Sequence, residues 1–370
     1  MVAALIFPAL APAQSPTPAE AMALEQQGKL DKAAQCWRSI TQRNPMDAAA
    51  LARLGVVLAK QRKYDEATTA YKKALSIDPK LPGIQLNLGL AEFKRGEFAS
   101  AIGPLKAAAA QNPGSAQARL LLGMSYYGTK QFVEAANALE VSVKSDPENI
   151  ELRQLLAHSC LFVKKYSCAL DQFQWIQQRQ PDSAAAHMLT GEALDGLGRT
   201  PEAIVEFQAA ANASPKEPGV HFGLGYLQWK LRQYDDAKIS LEAELSIDPD
   251  NPQALAHLGD IAMKQNDSEK ALTLLRKSVQ LKDDIRIAYA DLGSIYMEQK
   301  NYPEALVALQ RAVKLDPAQP DTHFRLGRLY QAMGNVSAAN EEFAKVRELH
   351  QKAEEAVQEK MSGPPPPLKP

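Results

Sequence analysis

"LARLGVVLAKQRKYDEATTAYKKALSIDP" (residues 51–79) reads as two amphipathic helices followed by a stop. Leu51, Leu54, Gly55 and Leu58 fall on one face of a first helix, and Ala67, Tyr71 and Ala74 on one face of a second. Asp78-Pro79 then ends the phrase. Proline has no amide hydrogen and pushes the residue before it out of the helical region, so the second helix must finish there.

The stop recurs. Pro45, Pro79, Pro113, Pro147, Pro181, Pro215, Pro249 and Pro317 lie 34 residues or a multiple of 34 apart, and the one gap in the series falls at Asp283. Nothing is inserted or deleted between Gln14 and about Ala353, so ten repeats fit, from 14–47 to 320–353. A fixed period of this length marks a stacked array of helical hairpins. Position 20 of the repeat is alanine in all ten, from Ala33 to Ala339, and position 8 is Gly or Ala in all ten. Glycine in a helix costs about 1 kcal/mol relative to alanine, so its recurrence at position 8 demands close approach of two helices. Position 24 is always large and apolar, from Trp37 and Tyr71 to Phe343.

These columns resemble the tetratricopeptide repeat (TPR), with its Leu-Gly pair in helix A, Ala and an aromatic residue in helix B, and closing Pro. The likeness covers about nine tenths of the chain. It implies an all-α fold, an α-solenoid built as a right-handed superhelix of antiparallel helix pairs, running as one continuous solenoid over 14–353. It also implies that the A helices line a concave groove for a peptide or protein. Departures carry their own expectations. Glu20-Ala21 replaces Leu-Gly in the first repeat, as suits an end repeat facing solvent, and "KDD" at 282–284 makes a looser junction. Pro104 should kink or delay the second helix of repeat 3. Past Ala353, one long or supplementary helix to about Met361 caps the stack, and "SGPPPPLKP" (362–370) reads as a polyproline II or disordered tail.

The chain of 370 residues carries 42 basic and 43 acidic side chains, intermixed, so no basic field exists to hold nucleic acid. No stretch approaches the ~20 apolar residues of a membrane span. The opening "MVAALIFPALAPAQSPTP" joins an apolar run to Ala11-Pro12-Ala13, which fits a secretory cleavage site after residue 13, although no Lys or Arg precedes Lys29. Export to a periplasmic or extracellular space follows if this segment is a signal peptide, and a cytoplasmic site otherwise.

Chemistry is sparse. His187, His221 and His323 all occupy position 4 and read as helix-packing residues, without metal-ligand spacing. Asp260 and Asp291, on adjacent A helices, read as a solvated face. Cys160 and Cys168 flank the turn of repeat 5 and fit either a short-loop disulfide in an oxidising compartment or two buried small residues. No phosphate loop, GxSxG elbow or nucleophile triad occurs, so no catalytic residue, cofactor or metal is expected.

Positions 2, 5, 9, 12 and 13 of each repeat point away from the hairpin's own core. They are apolar for a surface: Leu86, Leu90 and Phe93; Leu120, Met124 and Tyr127; Leu161; Met188; Phe222, Tyr226 and Trp229; Met263; Met297; Phe324. A docking surface for a partner is one reading, and half-buried contact between neighbouring A helices at positions 5 and 12 is the other. The lysine that family members use at position 5 to clamp a terminal carboxylate is absent, that position being Ala52, Leu86, Leu120, Gln154, Met188 and Phe222 in successive repeats. The sequence therefore points to a non-catalytic scaffold that binds a protein or peptide segment in an apolar groove. A structural subunit that self-associates, or fills the groove with its own tail, is the alternative.

Overall fold

The computed structural model describes residues 16–362. The expected leader (1–13) and the proline-rich tail from Gly363 lie outside the described residues. Among these residues there are twenty helices and no strand, and they divide between two compact units, one up to Gln178 and one from Arg179. The first unit holds α1 (Pro18–Gln26), α2 (Leu30–Arg43), α3 (Ala48–Lys60), α4 (Tyr64–Ile77), α5 (Ile84–Lys94), α6 (Phe98–Gln111), α7 (Ala116–Gly128), α8 (Phe132–Ser145), α9 (Ile150–Phe162) and α10 (Tyr166–Gln177). The second holds α11 (Ala184–Gly196), α12 (Thr200–Ala213), α13 (Val220–Lys230), α14 (Tyr234–Ile247), α15 (Pro252–Lys264), α16 (Ser268–Leu281), α17 (Arg286–Glu298), α18 (Tyr302–Leu315), α19 (Pro320–Ala332) and α20 (Val336–Ser362).

Odd-numbered helices are the A helices of the hairpins and even-numbered ones the B helices. Three-residue turns join them, which forces antiparallel packing, and each unit is by itself a stack of such pairs: an all-α solenoid arrangement. The middle residue of every turn, position 15 of the repeat, takes the left-handed conformation, with φ from 59° to 79°. Glycine fills it in four repeats, and Arg62, Lys130, Lys164, Arg232, Asn266 and Lys300 in the others. The amide after it reaches back to the A helix, as Lys63 N does to Leu58 O at 2.9 Å, which closes the helix end as a Schellman motif.

The recurring stop has a second function besides ending helix B. The side chain before the proline accepts a hydrogen bond from the amide two residues on: Asp78 from Lys80 (3.0 Å), Asn112 from Gly114 (3.1 Å), Asp248 from Asp250 (3.2 Å) and Asp316 from Ala318 (3.1 Å). After Asn112 and Asp248 the next A helix is also capped by a side chain, Ser115 accepting from Ala118 N at 3.2 Å and Asn251 accepting from Ala254 N at 3.0 Å. Position 4 completes the junction. Arg153 Nε donates to the Pro147 carbonyl (2.7 Å), and His187, His221 and His323 donate through Nε2 to the Pro181, Pro215 and Pro317 carbonyls at 2.8–2.9 Å. Arg119 makes the same bond to Pro113. The three histidines at position 4 therefore tie their own hairpins, in repeats 6, 7 and 10, to the stop before them.

The small columns are the core. Every alanine at position 20 is at most 3% exposed. At the eight glycines of position 8, an added Cβ would lie 2.5–2.8 Å from the large residue at position 24 of the same repeat. Leu, Phe or Tyr at position 24 fills the space that the missing methyl leaves, and this contact sets the spacing of the two helices.

Three expectations are resolved. Glu20 is exposed and closes a capping box with Thr17, accepting from Thr17 N at 2.8 Å while Thr17 Oγ1 accepts from Glu20 N at 3.3 Å. Pro104 neither delays nor interrupts α6, which starts at the same position of the period as the other B helices. The carbonyl it leaves unbonded belongs to exposed Ser100, where water can satisfy it. The Pro-free junction at 282–284 is pinned by Arg311, whose Nε and Nη2 donate to the Asp283 carbonyl at 3.2 and 2.9 Å.

Candidate functional site

Within each unit the A helices of successive repeats pack on one another as well as on their own partners, α3 through α9 in the first and α11 through α19 in the second. This brings the outward positions of neighbouring A helices together. In the first unit Leu86, Leu90 and Phe93 are half-buried against a core of Ala101, Leu105 and Leu121. Leu120, Met124, Tyr127 and Leu161 are half-buried as well. The Tyr127 ring stands edge-on to Phe132 (5.6 Å), and Phe132 stacks on the exposed Phe162 (4.2 Å, 11°).

In the second unit Met188, Phe222 and Tyr226 converge on one open cavity of about 350 Å³ between α11 and α13. Glu192, Asp195 and Phe207 share its wall. Trp229 stands beside Tyr226, ring centroids 6.1 Å apart, but packs on a core of Ala237, Leu241 and Leu258 and donates its indole N–H to Asp260 Oδ2 at 2.5 Å. Met263 and Met297 flank the cores around Leu275 and Leu309. Phe324 is 46% exposed, its ring 5.9 Å from that of Phe343. Several of the outward positions thus serve the packing between A helices, and the largest group left facing a shared open space is Met188, Phe222 and Tyr226.

Asp260 and Asp291 are not a solvated face: they are 3% and 1% exposed. Burial is tolerable because each carboxylate has a cation, Lys264 Nζ at 2.7 Å for Asp260 and Arg325 Nη1 at 2.7 Å for Asp291. Arg325 also reaches Ser294 Oγ (3.1 Å) and Asp321 (2.9 Å), so it ties α19 to α17 as the Trp229–Asp260 bond ties α13 to α15. Asp291 Oδ2 has no hydrogen-bond partner among the described residues. Burial, with the Asp260 charge adding to it and Arg325 and Lys264 opposing, pushes the Asp291 carboxyl up to about 7.

His257 lies among the aromatic rings, its centroid 4.6 Å from Trp229, 5.5 Å from Tyr226 and 6.0 Å from Phe222. Burial pulls its imidazole down to about 4; Asp260 opposes the shift and Arg286 adds to it. A neutral histidine at this place behaves as part of the aromatic cluster. None of this detail was legible from a helical wheel drawn on one repeat, because it depends on A helices meeting across repeats.

Elsewhere, Cys160 and Cys168 are joined, S–S 2.05 Å, across the turn between α9 and α10. Among the described residues no group of three or more His, Cys, Asp and Glu is placed to hold a metal ion, and no helix is long and apolar enough to cross a membrane. A feature the sequence reading missed is a row of exposed apolar side chains on B helices of the second unit: Val205, Ile239 and Val307, each 66–69% exposed. They share position 22, and the spacing of 34 and 68 residues was the available signal.

Comparison with known proteins agrees with the geometry. A family model described as tetratricopeptide repeat matches residues 19–82, 156–218 and 222–285, others of the same description match 92–159 and 321–353, and one described as TPR repeat matches 293–334. No curated protein matches the sequence significantly. Among solved structures the chain is similar in fold to the APC/C hetero-tetramer Cut9-Hcn1, with 16% identity, 89% of this chain and 80% of that one covered, and a TM-score of 0.54. Yeast Tom70 matches at 15% identity over 92% of both chains, TM-score 0.45. YrrB, a TPR protein with an unusual peptide-binding site, matches at 20% identity over 51% of this chain and 97% of its own, TM-score 0.38.

Proposed function

Because the chain belongs to the tetratricopeptide repeat family, we propose that it is a non-catalytic interaction scaffold whose A-helix surface holds a segment of another protein. Stacked-repeat proteins use their extended surfaces for protein–protein contact, and here the supporting observation is the convergence of Met188, Phe222 and Tyr226 on one open cavity of the second unit. Aromatic and thioether side chains around a concavity suit a docking peptide, since they offer apolar area at low conformational cost. The test is capture of peptides from a displayed random library by the purified chain. Tyr226→Ala should abolish capture while leaving the melting temperature nearly unchanged; capture that survives this change, or is never seen, counts against the proposal.

A second reading, assembly with other copies of the chain, draws support from the exposed Val205, Ile239 and Val307. Sedimentation separates the two: a concentration-dependent dimer that Ile239→Ser dissolves supports assembly, and a monomer at all concentrations removes it. The Cys160–Cys168 bridge supports an oxidising, exported setting. Chain isolated without reductant should then titrate one thiol, Cys36, when denatured, and three thiols would argue for a reducing compartment.

A further inference from the structure

The cavity between α11 and α13 owes its depth to a local departure from the repeat. Position 6 carries Arg53, Asn87, Leu121, Leu155, Leu189, His257, Asp291 or Arg325 in the repeats from the second on, but Gly223 in the seventh. A Cβ there would overlap the Phe207 ring, so the absence of a side chain lets that ring form the cavity's floor. Pro218-Gly219 adds to this. Gly219 turns at φ +83° and α13 begins only at Val220, two positions later in the period than α11 and α15, which removes another side chain from the rim. The opening is held in place by the buried Glu244, which accepts from Gly219 N (3.0 Å) and Phe222 N (3.1 Å). The void is thus built by backbone and fixed by a buried acid.

Its wall is apolar and aromatic with two charged groups, both acidic. Asp195 is already neutralised by Lys230, at 2.7 and 2.9 Å, and accepts from Thr200 Oγ1 at 2.6 Å. Glu192 makes no hydrogen bond or ion pair among the described residues and stands solvent-exposed at the cavity's mouth. An uncompensated carboxylate at the mouth of an aromatic cavity disfavours a purely apolar plug, which would strip its water and return nothing. A long cationic side chain meets both demands, laying its methylenes along Met188 and Phe207 while its head reaches Glu192 and the faces of Phe222 and Tyr226.

We propose that this cavity is a specificity pocket for an arginine or lysine side chain of the docked protein segment, with Glu192 as the residue that reads its charge. The inference rests on the scaffold reading above. It is tested on the full chain carrying methyl-labelled methionine, by titration with n-butylguanidinium, n-butylammonium, n-butanol and butyrate, following the Met188 methyl signal by NMR. Both cations should shift that signal saturably, and Glu192→Gln should weaken them by roughly tenfold, the loss of one charge-assisted hydrogen bond, while n-butanol binds wild type and variant alike. Glu192 is exposed enough for the variant to fold, which an unchanged melting curve verifies.

Equal binding of butanol and the cations, or cation binding indifferent to Glu192→Gln, overturns the assignment. Peptides captured from a random library supply the separate arm. Captured sequences without any excess of Arg or Lys leave the scaffold reading standing and remove the pocket's specificity. Cation binding at Met188 without capture of any peptide keeps the pocket's charge preference and removes the docked segment.

Discussion

A Cβ built on Gly293 would lie 2.5 Å from Leu309 Cγ, so helices α17 and α18 are spaced for a residue with no side chain. Gly293→Ala should destabilise the second unit by about 1–2 kcal/mol, overpacking outweighing the gain in helix propensity. Gly103, in α6 with nothing near its missing Cβ, is the control: Gly103→Ala should stabilise by up to ~1 kcal/mol. Urea titration of both variants checks the pair, and equal effects of one sign would contradict the spacing argument.

Arg232 holds φ +62° in the turn between α13 and α14, a conformation that glycine adopts without a Cβ penalty. Arg232→Gly should raise stability by about 1 kcal/mol despite the lost side chain, and Gly198→Ala, at φ +77°, should lower it by a similar amount. Thermal melts distinguish this from a turn indifferent to its residue.

Arg325 neutralises the buried Asp291. Arg325→Met should cost about 3 kcal/mol by stranding a charge, and adding Asp291→Leu should recover part of that loss. A double variant less stable than Arg325→Met would mean that Asp291 contributes packing or bonds beyond its ion pair.

Two buried groups give opposite pH slopes. His257 falls from 6.5 to about 4 in the folded chain, so the unfolded chain binds the extra proton between those values. Its contribution is complete above pH 6.5 and is lost as pH falls toward 4. Asp291 rises from 3.8 to about 7, so its contribution is complete below 3.8 and is lost as pH rises through 7. His257→Phe removes only the first. The variant's stability relative to wild type should therefore grow as pH falls from 7 to 4, by up to ~3 kcal/mol, in chemical denaturation at a series of pH values. A difference independent of pH would show that His257 is protonated freely in the fold.

What the sequence disclosed followed from local rules repeated ten times. Ala67 and its counterparts and the Gly55–Tyr71 contact show in one hairpin, because both partners lie within 34 residues. The proline stop reads directly from backbone chemistry. Asp260 and Asp291 were misread because their burial comes from neighbouring A helices, which a wheel for one helix leaves out. Trp229 looked like a groove residue for the same reason, and its bond to Asp260 is made across repeats. Pro104 was expected to kink or delay its helix; α6 is not delayed, and the carbonyl that the proline abandons belongs to exposed Ser100.

Partner binding on the A-helix surface is the proposal on which the functional reading rests. Calorimetric titration of a library-selected peptide into wild type, Tyr226→Ala and Ile239→Ser measures this most directly. Affinity should be unchanged in Ile239→Ser and fall at least tenfold in Tyr226→Ala, about 1.4 kcal/mol, with both variants melting as wild type does. Full affinity in Tyr226→Ala with loss in Ile239→Ser would contradict that proposal and move the binding site to the B helices.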